Sequence, residues 1–266
     1  MTATAPGPRP RAPAIPPSLR RLWRLPLLLM HVALATPLAV VLINPLTARL
    51  RLAGQRLDHL TIRLWSRGLL RLFGWRVRRF GVPLPGPVLL VANHVGWIDI
   101  EAIHSQIAAG FVAKAEISRW PLIGWLARRG GTIYHQRGRS DSLHGVMHTM
   151  LERLQQGLPV AVFPEGRAND GVELGPFHAR IFQPAVLAGV PAQPVALRYG
   201  ERGAAQTTVA FAPDEHFVGN FWRLLGEPPR VLEVHFLTPV AASEDGRRRM
   251  ATLCREQIAA VLAESA

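Results

Sequence analysis

The sequence predicts an α/β protein: a mixed, largely parallel sheet covered by helices, with an N-terminal membrane-associated helical segment ahead of it. Three observations carry that expectation. Beyond residue 81, short continuous apolar runs such as Val88–Ala92 (VLLVA) and Val160–Phe163 (VAVF) alternate with helical stretches, the pattern of strands buried on both faces. Ahead of it, residues 25–43 (LPLLLMHVALATPLAVVLI) carry no charged side chain. The formal net charge of +13 on 266 residues is also one-sided. Residues 1–80 hold fourteen arginines against one acid, Asp58, while residues 81–266 hold seventeen basic and seventeen acidic residues. The chain therefore divides into an arm (1–24), a membrane-associated segment of hydrophobic and basic amphipathic helices (25–80) and a neutral body (81–266).

In order along the chain, residues 1–20 contain Pro6, Pro8, Pro10, Pro13, Pro16 and Pro17, and proline removes donors and fixes φ, so a mobile arm is expected. Residues 25–43 would span about 28 Å as a helix, near the roughly 30 Å of a bilayer core. Pro26 and Pro37 interrupt the run and arginines flank both ends, so a re-entrant hairpin competes with a span. From Leu46 to about Arg71 the period is helical: Leu46, Leu50, Ala53, Leu57, Leu60 and Leu64 share one stripe, edged by Arg49, Arg56, Arg63 and Arg67. Such a helix suits the headgroup layer of an anionic membrane surface, and arginines bracketing a greasy segment favour lipid over nucleic acid. Trp23, Trp65 and Trp75 fit an interfacial belt.

In the body, strands are expected at 88–92, 110–114, 160–163, 193–198, 207–211 and 231–236, and helices at 99–109, 142–156, 179–188 and 245–263. The single cysteine, Cys254, excludes an internal disulfide and points to a reducing, cytoplasm-facing location.

The first body strand runs into Asn93-His94-Val95-Gly96-Trp97-Ile98-Asp99. Five residues apart, His94 and Asp99 would not meet on one helical face, but they meet if His94 ends a strand and Asp99 opens the next helix. Asp99 accepting from one imidazole nitrogen would leave the other free to take a proton from a substrate hydroxyl. A second strand ends in Phe163-Pro164-Glu165-Gly166-Arg167. Ligands bind at the carboxyl ends of parallel strands, so Glu165 and His94 can share a rim. A third segment, Gly130–Arg139, delivers Arg137 and Arg139, whose guanidinium forks suit phosphate oxygens; Lys114 could add a cation. Backbone amides at the Gly96 turn are a candidate oxyanion hole, and Trp97, Trp120 and Trp125 candidate borders of an acyl groove. His144 and His148 are i, i+4 on a helix without the carboxylate of an H-E-x-x-H metal site, so no metal is expected there. There is no G-x-S-x-G elbow, which argues against a serine hydrolase.

Four blocks in this order resemble the bacterial lysophosphatidate (1-acylglycerol-3-phosphate) acyltransferase family and its lyso-ornithine lipid acyltransferase relatives. They are H-x4-D at His94–Asp99, G-x-I-F-x-x-R at Gly131–Arg137, F-P-E-G at Phe163–Gly166 and an apolar proline block at Val190–Val195. The resemblance covers residues 85–200 and implies that the body, 81–266, is an acyltransferase domain. It implies acyl transfer from a thioester, acyl-CoA or acyl carrier protein, to the free hydroxyl of a lysophospholipid, most simply 1-acyl-sn-glycerol-3-phosphate. His94 would be the general base and Asp99 its orienting partner, with Arg137, Glu165 and Gly166 at the acceptor. No cofactor is needed, because a thioester is already activated. The implied setting is the bacterial inner membrane with the catalytic domain facing the cytoplasm. The family usually places Ser or Thr after F-P-E-G, whereas this chain has Arg167 and then Ala168. That leaves lyso-ornithine lipid as an alternative acceptor, with Arg167 a candidate contact. A thioesterase-like hydrolase is the alternative from another class.

Overall fold

The computed structural model describes residues 15–44, 46–120, 123–135, 140–242 and 246–264. Helix α1 (Pro17–Leu42) starts with proline in its first turn and continues through Pro26 and Pro37, so the hairpin alternative is not what forms. Both proline rings lie on the exposed side, where a missing N–H leaves an unpaired carbonyl on the outer face. By length and composition α1 could cross a membrane, and most of its apolar stretch is uncovered by the rest of the chain. Its inner side packs on α2 (Leu57–Leu72), where Gly68 is required: a Cβ there would stand 2.6 Å from the His31 imidazole.

The continuous helix expected from Leu46 begins eleven residues late. A 3-10 turn (Thr47–Arg49) and a hairpin of β1 (Arg51–Leu52) and β2 (Gln55–Arg56) precede α2. Ala53 and Gly54 both take positive φ, 51° and 78°, the two-residue hairpin turn whose twist suits the flanking strands. The buried face of α2 is Asp58, Thr61, Ser66, Leu69 and Leu70, not the leucine stripe. Leu46, Leu50 and Leu64 are exposed. Of the arginines beside them, Arg56 pairs with Asp58 (2.7 Å), Arg63 donates to Gln55 (2.5 Å) and Arg67 donates to the Ser105 carbonyl (2.8 Å). Arg49 is exposed.

The remaining strands are β3 (Trp75–Phe80), β4 (Leu89–Ala92), β5 (Gly110–Lys114), β6 (Ile133–His135), β7 (Val160–Val162), β8 (Ala192–Tyr199) and β9 (Arg230–Phe236). They form one sheet in the order β3-β9-β8-β4-β7-β5-β6. The block from β8 to β6 is parallel; β9 joins β8 antiparallel and β3 lies parallel to β9. The sheet is thus mixed and largely parallel, as the apolar runs predict. Strand β3 falls before residue 81, on the head side of the sequence boundary, yet it is an edge of this sheet and its Trp75 is 3% exposed. Trp75 is therefore packed inside rather than placed in an interfacial belt.

Alternate residues of β4 sort to two layers. Leu90 and Ala92 face α2, α3 (Ile98–His104) and α8 (Phe217–Leu225), while Leu89 and Val91 face α5 (Ser140–Gln155), α6 (Gln183–Ala188) and α9 (Gly246–Ala263). Helix α4 (Ile123–Arg129) braces the end of α1 through Arg129, which donates to the Ile43 carbonyl (2.9 Å). The strand expected at 207–211 is instead a short helix, α7 (Gln206–Val209). Both edges of β8 are already taken by β4 and β9, so no ladder is open to a strand there.

The head and the body are joined by arginines. Arg20 and Arg24, on the inner side of α1, are 7% and 0% exposed. Arg20 donates to the Gly226 carbonyl (2.6 Å), and Arg24 to those of Leu225 (3.0 Å) and Glu227 (2.8 Å). Arg21 donates to the Trp222 carbonyl (3.0 Å) and lies over its indole. These carbonyls belong to the last turn of α8 and the two residues that follow it, where orphan groups need donors and a helix dipole favours cations.

Candidate active site

The site forms where β4 and its neighbours end. Asn93 closes the strand and clamps it to β8, donating to the Leu197 carbonyl (3.1 Å) and accepting from the Leu197 amide (2.8 Å). The chain then turns through Val95–Trp97 and enters α3, with Asp99 in its first turn. This is the strand–turn–helix that brings His94 back to Asp99. His94 Nδ1 lies 2.7 Å from Asp99 Oδ2, an arrangement in which Nδ1 donates to the carboxylate and Nε2 holds the lone pair. Asp99 is fully buried, and the amides of Val95 (2.7 Å) and Gly96 (3.0 Å) also donate to Oδ2. Those two amides are therefore committed to the carboxylate and are not the free donors that an oxyanion hole at the Gly96 turn would need.

The His94 ring stacks on Phe163, centroids 4.0 Å apart and planes 10° apart, and Phe163 stacks on Phe111 in turn. The F-P-E-G block so supplies the floor of the imidazole. It also pins the backbone: Glu165 Oε1 accepts from the His94 amide (2.8 Å), and Oε2 accepts from Asn169 Nδ2 (2.5 Å) and the Gly175 amide (2.8 Å). Glu165 is 7% exposed and three donors already meet its carboxylate, so its evident work is to hold the loop behind His94. Gly166 follows at φ +76°, a conformation that favours glycine, and a Cβ there would touch His178. Arg255 on α9 fixes the same loop by donating to the carbonyls of Leu174 (2.8 Å) and Gly175 (2.9 Å). Behind that loop, against Asn93 and Val95 rather than the His94 ring, opens a cleft of about 550 Å³.

Lys114 ends β5 on the same rim and is exposed, as is Arg167. Arg137 and Arg139 lie outside the described residues. Trp97 does not stand alone. Its indole donates to buried Asn220 (3.0 Å) and it packs with Phe73, Phe217 and Phe221, with Trp120 against Phe217. An aromatic layer thus ties the turn after His94 to α8.

Two residues escaped the sequence reading. Asn169, four residues past Glu165, holds Glu165 and donates its amide to the His94 carbonyl (2.9 Å). Tyr199 ends β8 and donates its hydroxyl to Asp99 Oδ1 (2.5 Å). An aromatic hydroxyl at the carboxyl end of a buried strand was the available signal, but only the pairing of β8 with β4 gives it meaning. Two residues past Asp99, Glu101 is pushed up to about 7 by burial, against a hydrogen bond from Ser66 of α2.

A family model described as Acyltransferase matches residues 77–198. A lyso-ornithine lipid O-acyltransferase of Pseudomonas aeruginosa is 33% identical over 243 residues, covering 90% of this chain and 92% of that one. A 1-acyl-sn-glycerol-3-phosphate acyltransferase of Neisseria gonorrhoeae is also 33% identical, over 73% of this chain and 76% of its own. The fold matches the crystal structure of the 1-acyl-sn-glycerophosphate acyltransferase PlsC from Thermotoga maritima with a TM-score of 0.68 at 18% identity, over 91% of this chain and 94% of that chain. On this likeness along nearly its whole length, the chain belongs to the acyltransferase family that contains the 1-acyl-sn-glycerol-3-phosphate and lyso-ornithine lipid O-acyltransferases.

Proposed function

We propose that this enzyme transfers an acyl chain from an acyl thioester, acyl-CoA or acyl carrier protein, to the free hydroxyl of a lysolipid at a membrane surface. The observation that carries this reading is the 2.7 Å contact from His94 Nδ1 to buried Asp99. It leaves Nε2 as a base for a hydroxyl proton. The acceptor oxygen attacks the thioester carbonyl while His94 Nε2 takes its proton. The C–O bond forms, the C–S bond breaks, and the departing thiolate takes the proton back from the imidazolium. Asp99 orients the ring and stabilises its charged form; Glu165 and Phe163 hold it from behind. Arg137, with Arg139, Lys114, Gly166 and Arg167, is proposed to receive the acceptor headgroup. No metal or cofactor takes part in this scheme, and the enzyme is placed at the bacterial inner membrane with its body in the cytoplasm.

Lysophosphatidate is the acceptor that the four sequence blocks imply. Lyso-ornithine lipid is the second reading. It is favoured by the Pseudomonas relative, which matches 90% of the chain, and by Arg167-Ala168 in place of the hydroxyl residue after Gly166.

The test is a panel in which detergent-solubilised enzyme meets acyl-CoA or acyl carrier protein thioester with each lysolipid, products being followed by mass spectrometry. Transfer to one or both acceptors is expected, and His94→Ala should lower the rate roughly 10²–10⁴-fold while vesicle binding is retained. Hydrolysis of the thioester at the same rate with and without lysolipid would instead indicate a thioesterase. Unchanged turnover in His94→Ala would remove the mechanism.

A further inference from the structure

Asp99 accepts four hydrogen bonds while fully buried. Three reach Oδ2, from His94, Val95 and Gly96, and the fourth reaches Oδ1 from the Tyr199 hydroxyl at 2.5 Å, 100 residues further along the chain. The Tyr199 side chain is itself fully buried, and Trp75 of β3 packs edge-on against its ring, centroids 5.2 Å apart. The Gln206 side chain accepts from the Tyr199 amide (3.0 Å), fixing the backbone at the strand end.

We propose that Tyr199 is a positioning residue for acyl transfer: its hydroxyl fixes the rotation of the Asp99 carboxylate so that Oδ2 faces His94, and tempers the charge that the imidazole feels. The proposal rests on the reading of His94 as general base. A carboxylate facing histidine alone would favour the imidazolium more strongly. Three other donors share that charge, so the imidazole does not face it alone. The phenol remains a donor throughout, because burial and the Asp99 charge hold its pKa well above 10. Among the described residues, the titratable groups hydrogen-bonded at this pair come from three elements: Asp99 at the start of α3, Glu165 after β7, which accepts from the His94 amide, and Tyr199 on β8.

Tyr199→Phe keeps the ring and removes one hydroxyl. With the full chain in detergent, acyl-CoA, and 1-acyl-sn-glycerol-3-phosphate or lyso-ornithine lipid, kcat should fall roughly tenfold with KM changed less than about twofold. The acidic limb of kcat/KM should move to higher pH, because His94 becomes easier to protonate. In an Asp99→Asn background the same substitution should cost little more, since the two act as one unit. Tyr134 and Tyr199 are the only tyrosines in the sequence, so Tyr134→Phe protein made with 3-fluorotyrosine is labelled at Tyr199 alone. Its more acidic phenol donates more strongly, and the acidic limb should move down relative to unlabelled Tyr134→Phe. The fluorinated protein decides the question even where Tyr199→Phe does not fold. An acidic limb unmoved by fluorination, or a Tyr199→Phe loss that simply adds to that of Asp99→Asn, overturns the proposal. Full activity in His94→Ala overturns the general-base reading itself, which is a separate result.

Discussion

The arginine-rich head and the charge-neutral body use charge in opposite ways. In the body, acids and bases are paired within the fold: Arg198 with Glu233 at 2.5 Å, Arg223 with Glu215 at 2.7 Å, and His94 with Asp99. In the head there is one acid for fourteen arginines, so most of those arginines have no carboxylate to meet. The structure divides them. Arg20, Arg21 and Arg24 turn inward onto the carbonyl end of α8, and Arg67 onto the end of α3. Arg49, Arg76, Arg78 and Arg79 remain exposed, three of them along the edge strand β3. A like-signed cluster therefore contains both a structural clamp, in which backbone carbonyls replace acids, and a set of exposed guanidiniums.

The largest effect should separate those two groups. Arg24→Ala removes a fully buried guanidinium and leaves the Leu225 and Glu227 carbonyls short of a donor, at a cost of about 2–4 kcal/mol. A thermal melt in detergent should show it as a midpoint lower by roughly 5–10 °C, and an unchanged midpoint would break the clamp reading. Next comes the seam between α2 and α3. The raised pKa of Glu101 means the folded state holds a proton that the unfolded state releases, so stability should fall as pH rises from about 4.5 to about 7. Glu101→Gln should flatten that slope, worth on the order of 2 kcal/mol, in melts taken across this range. The smallest effect belongs to the outer face. Arg49→Ala should leave the melt unchanged within about 0.5 kcal/mol and weaken sedimentation with anionic vesicles by about 1 kcal/mol, an effect that salt erases. Deleting residues 1–80 would be a poor test of the same division, because it takes away β3, α2 and the clamp together.

What the sequence made legible was local. His94 and Asp99 could be joined because a strand, a three-residue turn and a helix follow one another directly, and Phe163–Gly166 could be placed on the same rim because it ends a second buried run. Tyr199 could not be joined to them. Its role depends on β8 lying beside β4, a pairing of segments 100 residues apart that no periodicity announces. The stripe from Leu46 to Leu64 departs from its expected form for a related reason. Helical spacing was present, but Ala53 and Gly54 at positive φ convert its first half to a hairpin, and the remaining helix buries Asp58, Thr61 and Ser66, with Ser66 meeting Glu101 of the body. Likewise Arg24 and Arg49 look alike in a charge count, and only the location of α8 distinguishes them.

The clamp also bears on the order in which the molecule can be assembled. Arg24 meets the Leu225 carbonyl across 201 residues of chain, and Arg20 meets Gly226 across 206. Synthesis runs from the N-terminus, so these arginines of α1 emerge 201 to 206 residues ahead of their carbonyl partners. Until then these guanidiniums lack the carbonyls that later hold them. Final docking of α1 on α8 is thus a long-range closure, slow compared with helix formation.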